Sequence, residues 1–243
     1  MPAIEINHLT KKYGDHTAVY DLCLNIEEGE LFSLLGVNGA GKTTTIKMLS
    51  CLLRPTNGDA LLHGISIAAN PYAVKEIINI SPQETAVAPN LTVMENIMLI
   101  ARIYGSEKKR AHDKAKEMAF ALGLEEVMNS RAKALSGGMQ RRLSIALALI
   151  SEPKVLFLDE PTLGLDVLAR RELWSIIKKL KERVTIILTT HYMEEAEALS
   201  DRIGIMEKGK LKAAGTAEQL LSITGAETFE NAFIAIVSQG GGI

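Results

Sequence analysis

The 243-residue sequence is poor in cysteine, in excess basic charge and in long apolar runs. Its two cysteines, Cys23 and Cys51, are widely separated, so no closely spaced metal or redox pair exists, and such usage suits a reducing compartment. The formal net charge is -2 and the pI about 6.2, which weighs against a nucleic-acid binder, whose domain is usually strongly basic. The longest stretch without Asp, Glu, Lys or Arg is 60–74, and His63, Gly64, Asn70 and Pro71 interrupt it. A spanning helix needs roughly 18 consecutive apolar residues, so none is expected. Met1–Glu5 lacks the basic-then-apolar order of a secretory leader, and none is expected there. Sustained heptads are missing, as is any N-K-x-D element for reading guanine.

Hydrophobic residues make up 47% and charged residues 23%, enough for a folded α/β chain and unlike a disordered one. Leu22, Leu24 and Ile26 alternate with Asp21, Cys23 and Asn25, the period of a half-buried strand. Strands are therefore predicted over 3–8 and 17–26 with a turn at Tyr13-Gly14-Asp15, followed by an apolar strand over 30–35. A helix is predicted from Lys42 to Leu53, ended by Pro55, Asn57 and Gly58, with Cys51 near its end. Residues 59–81 read as further strand and turn. From about 91 to 151 the pattern becomes helix after helix, opened by a capping box of Thr92 and Glu95. The charged run 107–117 reads as a solvated helix face. Alternation then returns: strands at 155–158, 184–190 and 202–206, helices at 167–181 and 192–200, and a turn at Lys208-Gly209. Gly240 to Gly242 read as a frayed end.

Gly36-Val37-Asn38-Gly39-Ala40-Gly41-Lys42-Thr43 matches G-x-x-x-x-G-K-[ST] in full, between an apolar strand and a helix. Glycines let the backbone approach phosphate closely, and the helix N-terminus attracts the anion. Lys42 is then the residue for the β- and γ-phosphates, and the Thr43 hydroxyl for Mg²⁺, with Thr44 beside it. By itself this motif says only "nucleotide phosphate". The apolar run Val155–Leu158 ends in Asp159 and Glu160. An Asp at such a strand end holds Mg²⁺ in phosphate-binding folds, and Glu160 follows as a candidate to orient and deprotonate water.

Leu135-Ser136-Gly137-Gly138-Met139-Gln140 precedes an apolar helix. With these landmarks in order, the chain resembles the ATP-binding-cassette family over roughly residues 2–222, whose members carry L-S-G-G-Q at a helix start. Met139 stands where the glutamine is usual, so no role is given to that side chain. The resemblance implies a P-loop α/β fold. Its central sheet is mostly parallel, its N-terminal β portion antiparallel, and an α-helical subdomain is inserted. It divides one nucleotide-binding domain into a core lobe of 1–83 and 152–222, a helical part of 84–151 and a short tail of 223–243. It also implies adenine stacking by Tyr13, a lobe-connecting Gln83 near Mg²⁺ and water, a reporting loop ending at Asp166, and a γ-phosphate contact by His191. Lys42, Gln83, Glu160 and His191 are thus the expected catalytic set, and Thr43, Gln83 and Asp159 the expected metal set.

The same resemblance implies a head-to-tail dimer, with a second copy or a paralogous cassette, around two ATP molecules. Each nucleotide is held by one phosphate loop and covered by Ser136, Gly137 and Gly138 of the other subunit. It implies a separate transmembrane permease, docked near Gln83 and 84–104, which holds the chain at the cytoplasmic face of the membrane. Leu91, Val93 and Met98 are candidates for that contact, about half of them expected as helix core. The reading L-S-G-G-M-Q-R-R and the tail around Phe229 and Phe233 resemble the drug and polysaccharide export branch. An importer subunit and a soluble cassette ATPase are the alternatives. A non-catalytic module would lack Lys42, Asp159 or Glu160, and all three are present.

Overall fold

The computed structural model describes residues 2–181 and 183–238, so the expected frayed end at Gly240 to Gly242 lies outside the described residues. Pro2–Tyr13 (β1) and His16–Glu27 (β2) form a long antiparallel hairpin. Asn57–Leu62 (β4) pairs with the other edge of β1, and Ile65–Ser66 (β5) pairs with β4. Both hairpin strands run further than expected. Register shifts along β1 break the strict alternation from which strand ends were read.

The second sheet holds Leu31–Leu35 (β3), Ile78–Ser81 (β6), Val155–Asp159 (β7), Thr185–Thr190 (β8), Arg202–Glu207 (β9) and Lys210–Gly215 (β10). Their spatial order is β10-β9-β3-β8-β7-β6, parallel throughout except for β10 against β9. Every residue of β3, β7 and β8 is buried. Strands covered on both faces read as near-continuous apolar runs; Val155–Leu158 is one, and Leu31–Leu35 is interrupted only by the buried Ser33. Because these strands run the same way, the phosphate loop after β3, Glu160 after β7 and His191 after β8 emerge at one edge.

On one face Ile46, Met48 and Leu49 of Lys42–Leu49 (α1) pack with Phe32, Phe157 and Ile187. On the other, Val93–Ile103 (α3), Lys108–Ala121 (α4) and Gly137–Leu149 (α5) bury Ile97, Ala111, Ala115, Ala119 and Leu143 in a cluster that continues into Leu156, Leu158 and Leu188. The helical insertion thus shares its core with the sheet. The Thr92–Glu95 capping box opens α3 with both reciprocal bonds made. The charged run expected to be solvated lies in α4, which buries its alanine stripe in the core with Met118 packed beside it. Val167–Leu180 (α6), Met193–Leu199 (α7), Ala217–Thr224 (α8) and Phe229–Ser238 (α9) complete the cover. Among the described residues no single helix is long and apolar enough to cross a membrane.

Two expectations change. The helix expected to reach Leu53 stops at Leu49, because Cys51 takes a left-handed φ of 56° while its N–H bonds Met48 O at 3.0 Å. Within 59–81, read as strand and turn, Pro71–Ile77 is a helix (α2); Pro71 takes its first position, where a missing N–H costs nothing. The tail carries α9, whose Phe229 packs with Ile203, Ile205 and Leu220 and whose Ala232 is also buried.

Glu195 on α7 is fully buried and ties α7 to α6 by accepting a bond from Trp174 Nε1 at 2.9 Å. The Thr190 and Thr162 hydroxyls stand beside it; burial, its main perturbation, pushes its pKa above the ordinary glutamate value. The folded state therefore favours the protonated acid. Its contribution to stability is full below the ordinary glutamate pKa and is lost as pH rises toward the raised one. Glu195→Gln should match the wild type in urea midpoint near about pH 4 and exceed it near about pH 7. In the core, Phe157→Ala should cost about 3–5 kcal/mol in the same titrations.

Candidate nucleotide site

The phosphate loop runs from the end of β3 into α1. Gly41 caps α1 at φ 102°, and a Cβ there would meet Ala18 O at 2.5 Å. Only glycine fits this position, which leaves the α1 N-terminus open to an anion. The loop borders a cavity of about 580 Å³ that brings together Tyr13, Lys42, Thr43, Thr44, Gln83, Glu160 and His191, with Asn38 to Gly41 along one wall.

The Lys42 ammonium is buried and donates to Gly36 O at 2.6 Å and Val37 O at 3.3 Å. Its third partner is Glu160 Oε1, at 3.3 Å. The other oxygen of Glu160 faces His191 Nδ1 at 2.8 Å. An ionised carboxylate can only accept, so Nδ1 carries the proton and Nε2 is left for another partner. Glu160 itself is buried and holds a left-handed φ of 48°, a conformation that costs a bulky residue of order 1–3 kcal/mol. Its own N–H is fixed by Thr189 Oγ1 at 3.0 Å. Backbone and side chain are therefore held in place before any substrate arrives.

Asp159 ends β7 and is buried. Its Oδ1 accepts from Thr43 Oγ1 at 3.1 Å and from Thr189 Oγ1 at 2.5 Å. A carboxylate and a hydroxyl converging at the mouth of a phosphate loop are hard oxygen donors, the set that suits Mg²⁺. The ring of Tyr13 is half exposed, with Lys11 Nζ 5.3 Å from its centre, and its open side faces the cavity. A second group of possible ligands, His8, Asp21 and Cys23, gathers on the outer hairpin. It lies outside the cavity lining, and its His8–Asp21 pair is already satisfied at 2.8 Å.

Six of the expected nucleotide contacts do not line this cavity: Gly36 and Val37 at the start of the phosphate loop, and Ser136, Gly137, Gly138 and Asp166. Ser136 caps α5, accepting from Met139 N at 3.3 Å, and is exposed together with Gly137. Gly138 is buried where a Cβ would stand 3.1 Å from Ala169 Cβ, so its smallness serves the contact between α5 and α6. Asp166 caps α6, accepting from Leu168 N at 2.9 Å and Ala169 N at 3.0 Å. Within one copy, the serine–glycine helix start and the phosphate loop are thus separate surfaces. Sequence reasoning missed His16 and Ala18 on the cavity wall and Thr189 behind it, whereas Leu163, which opens the reporting loop, does line the wall. Only Thr189 left a trace, as a polar residue closing an apolar strand.

A model of the family described as ABC transporter matches residues 19–163. The phospholipid-transporting ATPase ABCA3 of Homo sapiens is 44% identical over 218 residues, covering 88% of this chain and 13% of that protein. The daunorubicin/doxorubicin resistance ATP-binding protein DrrA of Streptomyces peucetius is 40% identical over 225 residues, covering 92% of this chain and 68% of that one. The chain thus spans about 13% of the length of the first curated relatives it matches. A solved dimer of the ATP-binding cassette MJ0796, in a post-hydrolysis state bound to ADP and Pi, superposes with a TM-score of 0.78 at 28% identity, covering 88% of this chain and 98% of that one. A P-loop fold, a phosphate loop facing buried acids and a family match across more than half of the residues agree: the chain belongs to the ABC transporter family.

Proposed function

We propose that this cassette closes head-to-tail on ATP and, by hydrolysing it, drives a separate transmembrane permease of export type. The observation that carries the reading is the buried line Lys42–Glu160–His191 at the mouth of the phosphate loop. Phosphoryl transfer asks mainly for positioning and charge stabilisation, and this line can supply both.

Lys42 takes the β- and γ-phosphates of ATP in exchange for its ion pair with Glu160. The exchange frees Glu160 Oε1 to accept a proton from the attacking water. His191 holds the other carboxylate oxygen, and its Nε2 reaches the γ-phosphate. Thr43 and Asp159, with Gln83 nearby, would hold Mg²⁺, which would offset phosphate charge. Tyr13 stacks on adenine. The exposed Ser136 and Gly137 at the α5 N-terminus cover the γ-phosphate held by the opposite subunit, a second copy or a paralogous cassette. ATP then binds the closed state better than ADP does, the differential affinity a switch requires.

The permease contact is assigned to α3 within 84–104. Val93 is fully buried and Leu91 and Met98 are partly buried, so the outer face belongs instead to Leu99 and Ile103, one turn apart and exposed. The chain would thereby sit peripherally at the cytoplasmic face of the membrane. The resemblance of L-S-G-G-M-Q-R-R and the likeness to DrrA support export over import. Co-purification with a multi-span membrane protein would support the transporter reading, and co-purification with nucleic acid the soluble alternative.

Three variants test the site. Glu160→Gln should bind ATP, hydrolyse it about 10²–10⁴-fold more slowly and accumulate as a dimer on size exclusion; near-normal turnover would falsify the assignment of the base. Lys42→Ala should lose ATP affinity or turnover by tenfold or more in equilibrium binding and ATPase assays, roughly the loss of one charge-assisted contact. In the Glu160→Gln background, Ser136→Arg should abolish the ATP-dependent dimer while leaving nucleotide binding by the monomer intact. A dimer that persists would remove α5 from the interface.

A further inference from the structure

Three side chains with metal-ligating atoms meet on the β1–β2 hairpin, outside the nucleotide cavity. His8 Nδ1 stands 2.8 Å from Asp21 Oδ1 and 3.5 Å from Cys23 Sγ, and one ligand atom from each residue lies within 4.8 Å of the others. The sulfur also accepts from the His8 amide at 3.3 Å. The meeting depends on two bulges. Between the pairs Ile6↔Leu24 and Leu9↔Leu22, Asn7 and His8 together oppose Cys23. Between Leu9↔Leu22 and Lys11↔Val19, Tyr20 and Asp21 together oppose Thr10. Each bulge adds one exposed residue and re-aims its side chain. His8 and Asp21 hold left-handed φ values of 53° and 50°, a conformation that persists only where neighbours impose it. The buried Thr10 ties both together: its hydroxyl accepts from the Asp21 amide at 3.0 Å and donates to His8 O at 3.4 Å.

Imidazole, thiolate and carboxylate are the three ligand types that Zn²⁺ accepts, and the thiolate discriminates against Mg²⁺ and Ca²⁺, which take oxygen. Tetrahedral Zn²⁺ with bonds of about 2.0–2.3 Å sets its ligand atoms roughly 3.4–3.6 Å apart. The Nδ1–Sγ distance of 3.5 Å already has that value, and the Nδ1–Oδ1 distance of 2.8 Å needs to open by about 0.6 Å. An ionised carboxylate only accepts, so without metal it is the Nδ1 proton that bridges His8 and Asp21. The cation replaces that proton and the thiol proton. The side chains of His8 and Asp21 are 73% and 53% exposed, so an ion reaches them directly and water completes the fourth position. An ordinary surface ion pair accounts for His8 with Asp21, but it gives no reason for the sulfur to approach the same nitrogen.

We propose that His8, Asp21 and Cys23 form a Zn²⁺ site that clamps β1 to β2, separate from the nucleotide cavity. One ligand comes from β1 and two from β2, so the ion cross-links the strands. Only the paired strands bring the three ligands together, and bound Zn²⁺ therefore stabilises the folded hairpin by mass action. No short motif announces the site, because the two ligands on β2 lie two residues apart and the third is 13 residues before Asp21.

The test is a calorimetric titration of the full chain, kept reduced, with Zn²⁺ in excess Mg²⁺, which occupies sites built from oxygen alone. One Zn²⁺ per chain should bind, and the thermal midpoint should rise with Zn²⁺ concentration. Co²⁺ should take the same place and show a thiolate-to-cobalt charge-transfer band. Cys23→Ser and His8→Asn should each weaken Zn²⁺ binding by about 100-fold or more, beyond the loss typical of a partner outside the ligand set, and Cys23→Ser should abolish the band. Asp21→Asn, which keeps an oxygen but not the charge, should weaken binding by about tenfold, within the range of such outer partners. Asn tolerates the left-handed backbone at both positions, and unchanged thermal midpoints without metal show that the variants fold. Absence of saturable Zn²⁺ binding, or equal affinity in His8→Asn and Cys23→Ser, overturns the proposal. Loss in Cys23→Ser alone, with the other two variants unchanged, reduces the event to a single thiol and overturns it as well.

Discussion

Lys42 and Glu160 stand 3.3 Å apart with almost no access to water. Taking two such charges out of solvent costs several kcal/mol each, and their attraction repays this only when the remaining donors and acceptors are matched. They are matched here, by Gly36 O and Val37 O on one side and by His191 on the other. The pair forces the ends of β3, β7 and β8 to meet at one sheet edge, since each strand contributes one member of the network. It also sets what displaces it: a ligand more anionic than a carboxylate, presented to a helix N-terminus. A triphosphate answers that description.

The sheet underneath makes the arrangement rigid. Its three central strands are buried on both faces by side chains as large as Phe32 and Phe157. Packing at this density leaves little freedom for the strand ends to drift. Thr189 then fixes both neighbours on β7, donating to Asp159 and accepting from the Glu160 amide. The left-handed backbone of Glu160 is sustained by that clamp. Pre-set geometry of this kind is what electrostatic catalysis requires, because nothing need reorganise when charge develops.

The helical insertion shares this core through Leu156, Leu158 and Leu188, yet it carries a surface of different purpose. Ser136 and Gly137 are exposed and do not line the cavity of their own copy. Asp166 caps α6 and Gly138 lets α5 and α6 approach, so both hold the scaffold of that surface. Arg141 and Ser144 bind this part back to the end of β6. The chain therefore carries the phosphate-loop cavity and the exposed start of α5 as separate surfaces on one frame.

Much of this was legible along the chain. The glycine loop, the acidic pair after an apolar strand and the Thr92–Glu95 box are local devices, and their chemistry depends on neighbours a few residues away. Buried parallel strands announce themselves as apolar runs, and α4 as a charged run with alanines at helical spacing. Other features had no local signal. Pro71–Ile77 is too short and too weakly patterned to separate from turn, and Cys51 leaves the helix only because the chain must turn back toward β4. The bonds from Arg141 to Pro82 and Gln83 span nearly 60 residues of sequence, and Thr189 serves Asp159 from the neighbouring strand. The residue order by itself determined which groups could bind phosphate, because that chemistry is written in adjacent glycine, lysine and threonine. Only the tertiary structure decided which acids face Lys42 and which glycines serve packing instead, because strand pairing sets distances that no spacing along the chain encodes.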